Sequence, residues 1–141
     1  MSYKLTFEPK PNYLHAKVTG THSREAVAAY LEEVRAACVS RGCPALLIEE
    51  RLEGTRLNPL DVFEVVADVS ERDLGELRAI AYVDVIAPQA QRFAETVAVN
   101  RGIPVAVFGT VAEAERWLAA RGLVCPESKG ATRAGAPEES R

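Results

Sequence analysis

From Leu14 to Thr19 the chain alternates, with Leu14, Ala16 and Val18 set against His15, Lys17 and Thr19. A period of two describes a strand with one covered face and one wet face. The short apolar run Lys4–Phe7 precedes it across the turn-rich Pro9-Lys10-Pro11-Asn12, so the two segments predict a hairpin with an irregular turn. His15 falls on the wet face of this segment, which is read as an edge strand. After Ser23, a residue suited to cap a helix, the period changes. Ala26, Val27, Tyr30, Leu31, Val34, Ala37 and Cys38 then share one helical stripe, which Gly42 ends in the place where a left-handed residue is wanted.

Ala45–Ile48, Ala79–Val83 and Val105–Phe108 are nearly continuous apolar runs. Such runs are expected of strands covered on both faces, as in a parallel sheet flanked by helices. Three helical segments alternate with them. Asn58-Pro59 opens the first as cap and first helical residue, with Leu60, Phe63, Val66 and Ala67 inward. Pro88 opens the second, with Phe93 and Val97 inward and Gly102 as its stop. Thr110-x-x-Glu113 is a capping box for the third, which buries Val111, Ala114, Trp117 and Leu118 before Gly122. The order ββαβαβαβα predicts a single α/β domain: a mixed, mostly parallel five-stranded sheet with one antiparallel edge strand, flanked by four helices. The domain is expected to span residues 1–124. Residues 125–141 are expected to form a disordered tail, because no large apolar residue follows Val124 to offset the entropy of ordering.

Composition narrows the function classes. A 141-residue chain can bury roughly two-thirds of its unfolded surface and needs neither metal nor disulfide for stability. A net charge of -3 gives no electrostatic reason to expect nucleic acid as a partner. No apolar stretch is long enough to span a membrane. The opening MSYKLTFEPK fails as a signal peptide, because a charge interrupts its short apolar run. Three cysteines, an odd number, argue against a disulfide framework and suit a reducing cytoplasm.

Arg78-Ala79-Ile80-Ala81-Tyr82-Val83-Asp84, Gly102-Ile103-Pro104-Val105-Ala106-Val107-Phe108 and Glu113-Ala114-Glu115-Arg116-Trp117-Leu118, with Val18-Thr19-Gly20 and Leu46-Leu47-Ile48-Glu49 nearer the start, form a pattern. It resembles the STAS domain, in particular its SpoIIAA-like group of small bacterial proteins. The resemblance covers about residues 3–122, mostly at packing positions. It implies a STAS fold and a ligand- or partner-binding module. In members resembling anti-sigma factor antagonists, a serine begins the helix after the third strand, and its phosphorylation abolishes docking. Here that neighbourhood is Glu53-Gly54-Thr55-Arg56-Leu57-Asn58-Pro59-Leu60. The Asp-Ser-Ser-Gly motif is missing. Asn58 caps but cannot be phosphorylated, and Thr55 sits three residues early.

Candidate chemistry is sparse. His15 and His22, the latter in the turn before the first helix, lack a nearby nucleophile or metal-ligand partner in sequence and are read as surface residues. Cys38 and Cys43 match no common zinc spacing, so no metal and no cofactor is expected. Nucleotide-binding and hydrolase glycine motifs are absent. Glu49 and Glu50 follow the third strand and Asp84 sits late in the fourth, so with Asn58 and Thr110 they mark a ligand or partner rim at the carboxyl ends of the strands. The simplest reading is that these acids solvate the rim, with Arg51 as an ion partner of Glu50. Two of them converging in an enclosed pocket would instead favour acid–base chemistry. Leu60, Val62, Phe63, Val65, Val66 and Val69 make the helix after Asn58 apolar over more than one face, so Leu60, Val62, Phe63 and Val66 define a candidate docking helix.

The leading expectation is therefore a cytoplasmic, non-enzymatic STAS-type module that docks a protein partner or a small apolar ligand without the phospho-serine switch. A homodimer is one arrangement it allows. The rivals are a small enzyme using Glu49, Glu50 or Asp84, and an anti-sigma factor antagonist switched at Thr55.

Overall fold

The computed structural model describes residues 3–126; residues 127–141, most of the expected tail, lie outside the described residues. Strands β1 (Tyr3–Pro9) and β2 (Leu14–Thr21) form the antiparallel hairpin. Its turn is closed by the Lys10 N–H donating to the Tyr13 carbonyl at 2.9 Å. Then follow α1 (Arg24–Arg41), β3 (Ala45–Glu53), α2 (Pro59–Ser70), β4 (Ala79–Asp84), a 3-10 turn (Pro88–Gln91) leading into α3 (Arg92–Asn100), β5 (Val105–Phe108) and α4 (Val111–Arg121). The sheet order is β1-β2-β3-β4-β5, and every pairing after the hairpin is parallel. This is the mixed five-stranded α/β sheet with four helices that the hydrophobic pattern predicts.

Local chemistry starts and stops the helices as expected. Ser23, Asn58 and Thr110 each accept a backbone N–H three residues on, at 3.0, 2.8 and 3.2 Å. Gly42 and Gly122 close α1 and α4 with left-handed φ of 63° and 69°, a region open to glycine at little steric cost.

Two cores lie on opposite sides of the sheet. Leu14, Ala16, Val18, Leu46, Ile48, Leu52 and Ile80 face α1, α2 and α3, where Val27, Tyr30, Val34 and Val65 are buried with them. Ala45, Leu47, Ala79, Ala81 and Val83 face α4, whose Ala114 and Leu118 are buried there.

Four details depart from the sequence reading. β3 runs through Glu49, Glu50 and Leu52 to Glu53, because β2 supplies a parallel partner as far as Thr21↔Glu53. The two glutamates therefore sit inside a paired strand, on opposite faces, and do not follow it. β2 is flanked on both sides, so His15 is not on an edge. Leu60, Phe63 and Phe93, expected inward, are 65%, 45% and 47% exposed, while Val65 and Ala98 take the buried positions. Finally, Cys125 is bonded to Cys43, with their Cα atoms 4.6 Å apart, and its N–H donates to the Pro11 carbonyl at 2.9 Å. An odd cysteine count requires one thiol to be left over, and that one is the buried Cys38. Burial pushes its thiol up to about 12.

Candidate functional site

Glu50 on β3 and Asp84 on β4 are register partners, and their side chains point to the face covered by α1, α2 and α3. Both residues are fully buried. A buried carboxylate is tolerated only when charge and hydrogen bonds replace its water. Asp84 has a full set. Arg56, in the connection between β3 and α2, grips it with two parallel bonds, Nε to Oδ2 at 3.0 Å and Nη2 to Oδ1 at 2.9 Å. The Ile86 and Ala87 N–H groups donate to Oδ1 at 3.0 and 2.9 Å, and Gln91 Nε2 donates to Oδ2 at 2.9 Å. Burial opposes the charge, but the Arg56, Ala87 and Gln91 donors outweigh it and hold the Asp84 carboxyl below its ordinary range.

Glu50 is held differently. Tyr30 from α1 and Tyr82 from β4 both donate to its Oε2, Tyr82 at 2.5 Å, and the two hydroxyls lie 2.9 Å apart. Its Oε1 has no hydrogen-bond partner among the described residues. Burial raises the Glu50 carboxyl, and the nearby Asp84 adds to the rise against the pull of the two tyrosines. His22 lies beside it, its Nε2 3.7 Å from Oε1 and its Nδ1 without a partner among the described residues. Burial, followed by the Arg56 charge, lowers this imidazole to about 4, so it is neutral in the folded protein at neutral pH. Replacing Tyr30 by phenylalanine is expected to cost about 1–3 kcal/mol, because Glu50 loses a buried donor. Urea unfolding of the variant checks this, and an unchanged midpoint would show that the hydroxyl contributes nothing.

The expected rim is thus divided. Glu49 lies on the other face, where His15 Nε2 sits 2.8 Å from its Oε1 and Arg51 Nε donates to Oε2 at 2.5 Å. The Arg51 partner is therefore Glu49, not Glu50. Its neighbours outweigh burial and lower the Glu49 carboxyl. Thr110 caps α4, also on that face, and Asn58 is exposed at the start of α2. Thr55 is exposed in the connection before α2. Glu50 and Asp84 do converge, and they do not solvate a rim. The residues that the sequence did not single out are Tyr30, Arg56, Tyr82 and Gln91, together with His22, read as surface and found 8% exposed. Among the described residues no group of three His, Cys, Asp or Glu is placed to hold a metal ion, and no helix is long and apolar enough to cross a membrane.

The surface outside this cluster is apolar at the first turns of α2, where Leu60 and Phe63 stand exposed, with the Arg101 guanidinium 4.8 Å from the centre of the Phe63 ring. Val62 and Val66 are half-buried beneath them.

The sheet order, the three-plus-one helix arrangement and the hairpin edge define an α/β protein of the STAS fold. No family model and no curated protein matches the chain. Among solved structures it is similar to an anti-sigma factor antagonist from Mycobacterium paratuberculosis, with a TM-score of 0.53 and 17% identity over 84% of this chain and 95% of that one.

Proposed function

We propose that this domain is a non-enzymatic STAS-type regulatory module that docks a protein partner through the first half of α2, without a phospho-serine switch. The observation that carries the reading is the exposure of Leu60 and Phe63, 65% and 45%, on a helix whose inner face is already filled by Val65 and Val66. Apolar side chains left in water beside a charged border are the usual mark of an interaction surface. The helix itself supplies an acidic border, with the Arg101 guanidinium over Phe63 as a positive charge beside it. From Pro59 to Glu71 the chain carries Asp61, Glu64, Asp68 and Glu71 and no Lys or Arg. Arg24 neutralises part of Asp61 and Glu64, and Arg72 part of Asp68. The fitting partner is a protein that presents an apolar side chain within a basic surface. The likeness to an anti-sigma factor antagonist supports a protein partner over a lipid surface.

Two features support the other parts of the proposal. The α2 cap is Asn58, whose side chain accepts the Asp61 N–H, so no hydroxyl stands at that helix start for a phosphoryl group. The convergent acids are poorly suited to turnover, since Asp84 is saturated by five donors and Glu50 is locked by two tyrosines. Phe63→Asp should weaken binding of the purified partner at least about tenfold, as truncation of an interface anchor does, with unfolding midpoint unchanged. Equal affinity of the variant and the parent would remove α2 from the interface.

A further inference from the structure

A second feature stands apart from the docking reading. Two cavities lie between the sheet and the α1–α3 layer. The larger, about 100 Å³, is walled mostly by apolar side chains, among them Leu46, Ile48, Ile80 and Ala98. The smaller, about 60 Å³, is polar at one end, where His22 and Arg56 line it. Leu31, Val66, Tyr82, Gln91 and Ala94 line both, so the cavities adjoin and grade from apolar to polar.

The polar end has unmet bonding capacity. His22 Nδ1 is unpartnered among the described residues, on a side chain only 3% exposed that lines this cavity; Glu50 Oε1, 3.7 Å from His22 Nε2, lines neither cavity. Arg56 makes no hydrogen bond to Nδ1: its bonds run from Nε and Nη2 to Asp84 and from Nη1 to the Gly54 carbonyl. His22 Nε2 faces the Glu50 carboxyl and is therefore assigned the proton, which leaves Nδ1 of the neutral imidazole as an acceptor. The missing group is therefore a donor. A water molecule would satisfy the polar end but find few partners at the apolar end, because a buried water needs two to four polar neighbours. Size points the same way: an apolar cavity of about 150 Å³ admits benzene.

We propose that the two cavities form one binding site for a small single-ring molecule carrying one hydroxyl or N–H. The ring lies over Ile80 and Ala98, and its donor meets His22 Nδ1, with Tyr82 and Gln91 at the junction. This goes beyond a purely apolar ligand, because it requires a donor and assigns its acceptor.

Phenol and toluene are the probes, since they share a ring and differ in the donor. NMR titration of the full chain at neutral pH should give saturable binding of both, with phenol about tenfold tighter, the gain expected of one buried hydrogen bond to a charged or strongly accepting group. Phenol ring protons should show cross-relaxation to the Val66 and Ala98 methyls. His22→Phe should abolish the preference for phenol while leaving toluene bound. Where that variant fails to fold, the affinity ratio and the methyl contacts of the parent protein decide. The proposal is overturned by an absence of saturable binding, by equal affinities for the two probes, by a preference that survives His22→Phe, or by cross-relaxation to Leu60 and Phe63 in place of Val66 and Ala98.

Discussion

Arg56→Ala is expected to destabilise the fold by about 3–5 kcal/mol, the usual consequence of leaving a buried charge without its partner. Asp84 is fully buried and the Arg56 side chain only 10% exposed, so solvent screens this pair weakly. The Ile86, Ala87 and Gln91 donors remain after the substitution, which places the cost nearer the lower bound. Asp84→Asn in the same chain should recover part of the loss, because it removes the orphaned charge while keeping an acceptor for the backbone donors. The two substitutions should therefore be strongly non-additive. Urea unfolding of the two single variants and the double variant checks this. Additive losses would mean that the pair does not function as a unit. Arg56 also ties the Gly54–Leu57 connection to the end of β4, so its loss should raise hydrogen exchange at the start of α2.

The second large effect is an acid-side loss of stability centred on His22. Its folded-state value, about 4, lies below the ordinary value of 6.5, first through burial and then through the Arg56 charge, with Asp84 opposing. The unfolded chain thus takes up a proton between those values that the folded chain refuses. The His22 contribution is complete above pH 6.5, falls as the pH drops, and is spent near pH 4, a change of about 3 kcal/mol. Glu50 has the opposite sign. Its carboxyl is raised, so its contribution is full below 4.5 and is lost as the pH rises through its folded-state value. Asp84, held low, contributes above its ordinary 3.8 and loses that contribution only as the pH falls through its lowered value. Subtracting the stability curve of His22→Phe from that of the parent isolates the histidine. The difference should change by about 3 kcal/mol between pH 6.5 and 4. Parallel curves would show that His22 titrates alike in both states.

Much of the fold was legible because apolar periodicity reports burial directly. The three greasy runs became β3, β4 and β5, and the Ser23, Asn58 and Thr110 caps and the Gly42 and Gly122 stops all act as their chemistry dictates. The buried polar cluster was not legible, for a related reason. Glu49 and Glu50 end an apolar run and so resemble a strand terminus, yet β2 continues to pair beyond them. Tyr30 and Tyr82 look like core aromatics, and nothing local shows that their hydroxyls meet a carboxylate 20 and 32 residues away. His22 is buried by its packing and influenced by Arg56, neither of which is adjacent in sequence. The α2 helix was half legible. Its excess of apolar positions was plain, but periodicity does not choose which residues face the sheet, and Val65 took the place expected of Leu60 and Phe63.

The proposed role stands most directly on where a partner touches the domain. A photocrosslinking residue at Leu60, with the same residue at the exposed Ala112 of α4 as the comparison, should be tested in the native host. One protein species, with a basic surface, should crosslink from Leu60 and not from Ala112. Adducts from Ala112 alone, from both positions equally, or only with a second copy of this chain would contradict the docking of a regulatory partner on α2.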